Sequence, residues 1–225
     1  MLVLDKRAGI AITGERHDTD VVELAKAAGE WLMPAHRIDK VTSGLVLLAK
    51  SVEVHGPLTQ QFRDQTVDKT YLAITRSVGL PERATIDLPL AAGRKNRVRV
   101  AAPRELIQYD DLGLRYFVHA HDVFEKHLPA TSTFEKLREA DCRSLLAVKP
   151  LSGRRHQIRV HLAWIGHPIL GDPLFGTTTA SRTYLHAWKL SFDATHEDGR
   201  RIEVEVAPPR EFWSEINPEW PGVVR

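Results

Sequence analysis

Read for hydrophobic period alone, the chain interleaves short apolar runs with amphipathic stretches. Gly44 to Ala49 (GLVLLA) is continuously apolar and bounded by turn residues, the pattern of a strand buried on both faces. Ser51 then stands where a cap is wanted for a helix whose Val54, Leu58 and Phe62 recur every four positions. Upstream, Asp20 and Glu23 make a capping-box-like opening for another helix carrying Val21, Leu24, Ala25 and Ala28, with Gly29 to close it. Thr70 to Thr75 and Arg97 to Ala101 alternate as strands, and Leu145 to Val148 is a further short apolar strand. After Gly153 a helix is predicted from about His156 to Ile165, with Ile158, Leu162 and Ile165 on one stripe. Gly166 stops it, and Gly166 to Gly176, studded with Gly and Pro, reads as loop. Strands from Tyr184 to Leu190 and from Ile202 to Val206 follow.

Strands outnumber helices in this reading and come partly as neighbours, so the expected architecture is α+β, a mixed sheet with helices packed on it. No internal repeat, low-complexity tract or flexible linker divides the chain, and one domain over residues 1–225 is the simplest organisation. The stretch from Pro103 to Phe134 resists any clean period. It is expected to be an irregular insertion at about 103–134, with room for a short helix.

Composition adds boundaries. The 225 residues are 43% apolar and 27% charged, ordinary values for a globular chain. No apolar run approaches the roughly 20 residues of a membrane-spanning helix. The opening, charged at Asp5, Lys6 and Arg7, does not look like a signal peptide. A single cysteine, Cys142, cannot close an internal disulfide, which fits a reducing cytoplasm. Net charge is only +2, but the cations cluster. Arg94, Lys95, Arg97, Arg99 and Arg104 run without an intervening acid, and Arg154, Arg155 and Arg159 form a second group. Such groups either neutralise phosphates or make a solvated basic face.

Three segments concentrate residue types that a core does not need. The run His36-Arg37-Ile38-Asp39-Lys40-Val41-Thr42-Ser43-Gly44 is a polar loop feeding the buried strand, a common place for catalytic groups. Its Asp39, flanked by Arg37 and Lys40, can act as a nucleophile or base when ionised; local sequence alone fits a surface turn aspartate as well. Ser152 to Leu162 (SGRRHQIRVHL) joins a glycine turn to a helix, whose first backbone amides suit an anion. Arg155 and Arg159 would share a face one turn apart. Arg159, beside the apolar stripe, would be partly buried and in need of a carboxylate, for which Asp39 is the one special candidate. An amphipathic helix with an ordinary basic face is the plain alternative. In Asp68-Lys69-Thr70-Tyr71-Leu72-Ala73, Tyr71 is either a core aromatic or a ring for a base to stack on and a phenol for proton transfer.

The eleven histidines offer no metal pattern: His156 and His161 are five apart, His119 and His121 two apart, and no helical His-Glu-x-x-His occurs. Glycine-rich nucleotide loops are missing, and neither Ser43 nor Ser152 sits in a nucleophile elbow. No cofactor is expected.

In this order the three segments resemble the RluA-like family of pseudouridine synthases. HRIDKVTSGLVLLAKS is similar to the family block His-Arg-Leu-Asp-Arg-x-Thr-Ser-Gly-Leu, whose aspartate is the catalytic nucleophile, here Asp39. KTYLA is similar to the block with the active-site tyrosine, here Tyr71. SGRRHQIRVHLAWIGHPILGDPLFG is similar to a third block, whose arginine pairs with the catalytic carboxylate, here Arg159. Weaker echoes lie at Leu4 to Gly9 and at Leu185-His186-Ala187 with Leu190. The chain departs from the pattern with Arg7 for Pro, Lys40 for Arg and Arg155 for Thr, and residues 103–134 look longer than the corresponding segment.

The resemblance implies a single catalytic domain with a long mixed, mostly antiparallel sheet, flanking helices and a central cleft. It implies an enzyme without metal or cofactor that isomerises uridines in ribosomal or transfer RNA, Asp39 either adding to the ribose or taking a proton from it. Arg37 would fill the place vacated in the base stack. Lys40, Arg154, Arg155 and His156 are expected to contact RNA near the pocket, and Arg97 and Arg99 outside it. A cytoplasmic monomer with no obligate protein partner is expected. The rivals are an RNA-binding or chaperone protein on the same fold, which need not keep Asp39, Tyr71 and Arg159 together, and a metal-dependent hydrolase.

Overall fold

The structure is a computed structural model and describes residues 1–14, 19–76, 78–93, 97–176, 180–195 and 199–216. Its first half runs β1 (Leu2–Lys6), α1 (Val21–Ala27), β2 (Met33–Pro34), β3 (Ser43–Ala49), α2 (Val52–Arg63), β4 (Asp68–Thr75), β5 (Arg83–Asp87), β6 (Leu90–Ala92) and β7 (Val98–Val100). There follow β8 (Gln108–Asp110), β9 (Arg115–Phe117), β10 (Thr131–Ala140), β11 (Arg143–Pro150), α3 (Gln157–Trp164), β12 (Leu185–Asp193), β13 (Arg201–Glu205) and α4 (Arg210–Trp213).

An 11-stranded sheet carries the order β1-β3-β12-β4-β11-β10-β5-β9-β8, with β13 on β12 and β2 on β3. Its parallel pairs are β3 with β12 and β5 with β9; the others are antiparallel. The α+β expectation, with a mixed and mostly antiparallel sheet, therefore holds. Among the described residues no helix is long and apolar enough to cross a membrane.

The apolar run of β3 is buried throughout because it is packed on both faces. Alternation sends Leu45 and Leu47 towards Val54 and Leu58 of α2, while Val46 and Leu48 meet Ile12, Val21 and Ile38 on the other side. Asp20 caps α1 as its residue type predicts, its Oδ1 accepting the Glu23 N–H at 3.0 Å. Ser51 makes no such side-chain bond, so α2 is held by its apolar face instead.

Several expectations need correction. The predicted strand Arg97 to Ala101 is shorter and lies outside the main sheet, β6 and β7 forming a separate two-stranded ribbon. Residues 103–134 are more ordered than expected. They hold single 3-10 turns at Arg104–Leu106 and Ala120–Asp122, the β8–β9 hairpin on the sheet edge, and the start of β10. Helix α3 starts one residue later than predicted and has no solvated basic face, since Gln157 through Ala163 are all buried. Arg155 precedes this helix and so does not share a helical face with Arg159.

One close contact fixes how β3 meets β12. Gly44 pairs with Ala187 at φ +106°, and a Cβ on it would stand 2.2 Å from the Ala187 carbonyl oxygen. Only glycine fits both the backbone angle and the space. Gly44→Ala is expected to cost on the order of 3 kcal/mol through strain and overpacking, lowering the melting temperature by roughly 6–12 °C. An unchanged thermal melt would contradict this close packing.

Candidate active site

Across the middle of the sheet, β3, β12, β4 and β11 lie side by side. The loop before β3, the strand β4 and the turn before α3 meet there around a cleft of about 1140 Å³. Asp39, Tyr71 and Arg159 all line it, as do Arg37, Lys40, Arg154, Arg155 and His156. Segments separated by more than 100 residues in sequence, the Asp39 loop and the α3 turn, are joined by one hydrogen bond, Arg159 Nη1 to Asp39 Oδ2 at 2.8 Å (120 residues apart). Arg97 and Arg99 do not belong to the cleft; they line a smaller groove nearby. Arg94 and Lys95 fall outside the described residues.

Arg159 is only 3% exposed and cannot stay there without counter-charge. Sequence reasoning supplied one partner, and the structure adds a second. Asp172 takes the fork of the guanidinium bidentately, from Nε at 2.7 Å and from Nη2 at 2.8 Å, which leaves Nη1 for Asp39. Asp172 is itself fixed by the backbone N–H groups of Leu174 and Phe175. The Arg159 guanidinium holds the Asp172 carboxyl below the usual carboxylate range against the opposing effect of burial. The segment Gly166 to Gly176, expected only to be loop, therefore supplies the second partner of Arg159. Asp172 was missed because an aspartate before Pro173 in a glycine-rich loop reads as a turn residue bonding its own backbone, which it also does. Asp39, by contrast, keeps 24% of its side chain open to the cleft.

The turn before α3 is built differently from a helix N-terminus waiting for an anion. Gln157 Oε1 accepts from the Ser152 hydroxyl at 2.7 Å and from the Arg154 N–H at 3.0 Å, so an amide of the turn ahead of the helix is already used. Its Nε2 donates to the Thr131 carbonyl and to Ser132 Oγ, clipping the turn to β10. His156 turns the chain at φ +55°, a left-handed angle that few side chains adopt. Its Nε2 lies 3.6 Å from Asp39 Oδ1, and its buried Nδ1 has no hydrogen-bond partner among the described residues. Burial lowers the His156 pKa against the raising effect of Asp39, so the ring is neutral near pH 7.

Tyr71, half-buried on β4, has its phenol pushed up by burial and by the charge of Asp39. Lys6, at the end of β1, was not anticipated as a site residue. Its Nζ, buried beneath the loop, donates to the carbonyls of Arg7 and Ile10 at 2.8 Å and of Lys40 at 3.3 Å. Burial lowers its pKa to about 8, with Asp39 acting to raise it. The Ser43 hydroxyl accepts from Arg182 and donates to His186 Nδ1 at 2.9 Å, while His186 Nε2–H donates to the Val206 carbonyl. His161 is likewise built in, donating to the Leu88 carbonyl and accepting from Ser132.

A cleft across a mixed sheet, with a partly open carboxylate fixed by a buried arginine and a rim of cations, suits a polyanion. Residues 1–164 match the family model of RNA pseudouridylate synthases. An uncharacterised RNA pseudouridine synthase of Zymomonas mobilis is 32% identical over 222 residues, covering 94% of this chain and 91% of that one. The ribosomal large subunit pseudouridine synthase D of Nitrosomonas europaea is 29% identical, covering 92% of this chain but 59% of that longer one. The fold is shared with human RNA pseudouridylate synthase domain containing 4, at a TM-score of 0.72 and 24% identity, covering 93% of this chain and 86% of that one. The chain belongs to the RNA pseudouridylate synthase family, in its RluA-like branch, and is an RNA-modifying isomerase.

Two outcomes follow from this electrostatic arrangement. Arg159→Ala leaves two carboxylates without their cation and is expected to cost about 3–5 kcal/mol. Arg159→Lys has one ammonium where three guanidinium N–H groups are used and should recover only part of that, read by denaturant unfolding. Second, burial holds His36 at about 3 and His161 and His186 at about 4. Since their unfolded value is about 6.5, the unfolded chain takes up more protons below it, and stability is lost as the pH falls from about 6.5 to about 4. Asp172, depressed in the fold, contributes stability above about pH 3.9 that is lost below it. A melting temperature that stays flat between pH 6.5 and 4.5 would contradict the buried neutral histidines.

Proposed function

We propose that this chain acts as one catalytic domain that isomerises specific uridines in structured ribosomal or transfer RNA, with Asp39 as nucleophile. The observation that carries the reading is the Asp39 carboxylate, open to the cleft yet fixed by the Arg159–Asp172 pair. The reaction breaks the bond from ribose C1′ to N1 of the uracil, turns the base, joins C5 to C1′, removes the C5 proton and leaves one on N1. Nothing is oxidised or reduced. The protein must therefore extrude the base, hold both fragments and move a proton.

Extrusion costs a few kcal/mol. Arg37, exposed at the rim, fills the vacated place in the stack, and the Tyr71 ring offers a face worth about 1–3 kcal/mol to the flipped base. Lys40, Arg154, Arg155 and His156 take the neighbouring phosphates and base edges. Asp39 attacks the ribose from the wall of the cleft. Because burial and Asp39 keep Tyr71 in its neutral form, its oxygen serves as a relay, accepting the C5 proton as its own proton passes to solvent, from which N1 takes one up. Arg97 and Arg99 contact RNA beyond the cleft. The exposed Cys142 thiol accords with a reducing, cytoplasmic setting, and the chain works as a monomer.

Asp39→Asn is expected to keep fold and RNA affinity while abolishing tritium release from RNA labelled at C5 of uridine. Tyr71→Phe should still bind and cleave but stall before the C5 proton leaves. Chemical mapping of pseudouridine in ribosomal and transfer RNA from cells lacking the gene, complemented with wild type or Asp39→Asn, identifies the target. Restoration of a missing site by Asp39→Asn would overturn the assignment.

A further inference from the structure

Arg97 and Arg99 line a groove of about 310 Å³ with Gly93, Arg104, Trp164 and Phe175. We propose that this groove is a second nucleotide site, which takes one unpaired nucleotide of the same RNA next to the extruded uridine, stacking its base on the Arg104–Trp164 pair and holding its phosphate on Arg97 and Arg99. The inference rests on the synthase reading above and narrows its substrate to a loop with two unstacked nucleotides close together.

Four observations carry it. The groove is at the small end of ligand pockets, room for a base and too little for a helix. Its charged lining is all cationic: Arg97, Arg99 and Arg104 line it without an acid among the described lining residues. Of its two aromatic rings, Trp164 has the Arg104 guanidinium 5.3 Å from its centroid, while Arg99 reaches Phe124, outside the lining, at 4.3 Å. Arginine planes stack on splayed-out bases as aromatic rings do. The groove also continues the catalytic cleft. Phe175 meets His156 and Arg159 of the cleft at 5.8 and 5.4 Å and Trp164 of the groove at 6.3 Å, and Leu174 lines both cavities. A strand leaving the cleft crosses one side chain to reach the groove.

Arg104 is exposed, but its guanidinium also donates to the Ala163 carbonyl of α3, so thermal melting of each variant reports that contact separately, and Arg104→Lys keeps the charge while removing the plane. The probe is ribosomal and transfer RNA, labelled with tritium at C5 of uridine, from cells lacking the gene. If a base stacks there, Arg104→Ala and Arg104→Lys should both raise KM about tenfold with kcat within twofold, the signature of lost binding away from the reacting atoms. Arg97→Gln with Arg99→Gln should flatten the slope of log affinity against log salt by about 0.7–0.9 for each phosphate no longer neutralised. An abasic substitution at the neighbouring nucleotide should reproduce the KM increase in wild type and add nothing in Arg104→Ala. Wild-type KM in Arg104→Lys would overturn base stacking, and wild-type KM in Arg104→Ala would overturn the site altogether, while wild-type tritium release keeps the synthase reading intact. Absence of tritium release from wild type itself would overturn both.

Discussion

The buried guanidinium of Arg159, shared by Asp39 and Asp172, is the interaction on which the rest of the site depends. A cation at that depth is tolerable only with anions arranged around it, and the two carboxylates come from loops that no secondary structure joins. The Asp39 loop enters β3, and the Asp172 loop leaves α3. The same charge that orients Asp39 therefore ties together the two halves of the cleft. Asp172 takes two of the guanidinium donors and is fully enclosed, while Asp39 takes one and keeps an open face. The asymmetry separates an anchor from a group that faces the cleft.

Around that charge the protein uses neutral polar groups to set geometry. Gln157, Ser132 and His161 form a hydrogen-bonded line from the turn before α3 to the Leu88 carbonyl. Ser43 and His186 form another from the start of β3 to Val206. Each line joins a functional loop to a sheet element in a low-dielectric interior, where satisfied polar networks rigidify and unsatisfied ones are costly. His156 is one exception, with a buried Nδ1 lacking a partner among the described residues and a left-handed backbone beside Asp39. Strain of this kind collects where function constrains the chain.

Much of the fold could be read from the sequence, for a reason visible in β3 and α2. Both bury apolar residues in unbroken periods, Gly44 to Ala49 and Val54, Leu58 and Phe62. Strand β10 lies deeper in the sheet, between β11 and β5, yet TSTFEKLREA gives no such signal. Its buried positions include Ser132, a polar residue spent on Gln157 and His161. Of the site, Asp39, Tyr71 and Arg159 were legible through motifs, and their convergence in one cleft agrees with that reading. Asp172 and Lys6 were not, because their roles exist only through contacts that close loops: Asp172 with Arg159, and Lys6 with the Lys40 carbonyl.

That lysine ties the site to the margin of the sheet. Strand β1 pairs with β3 alone and forms one end of the strand order, and edge elements open first when a fold loosens. Lys6 sits at its inner end and shares the Lys40 carbonyl with the Gly9 N–H, one residue from Asp39. Fraying of this strand thus withdraws the donors that hold the Asp39 loop. Heat inactivation would then run ahead of global unfolding, and the working lifetime of the enzyme would be set by the weakest hinge of its sheet while the core remained folded.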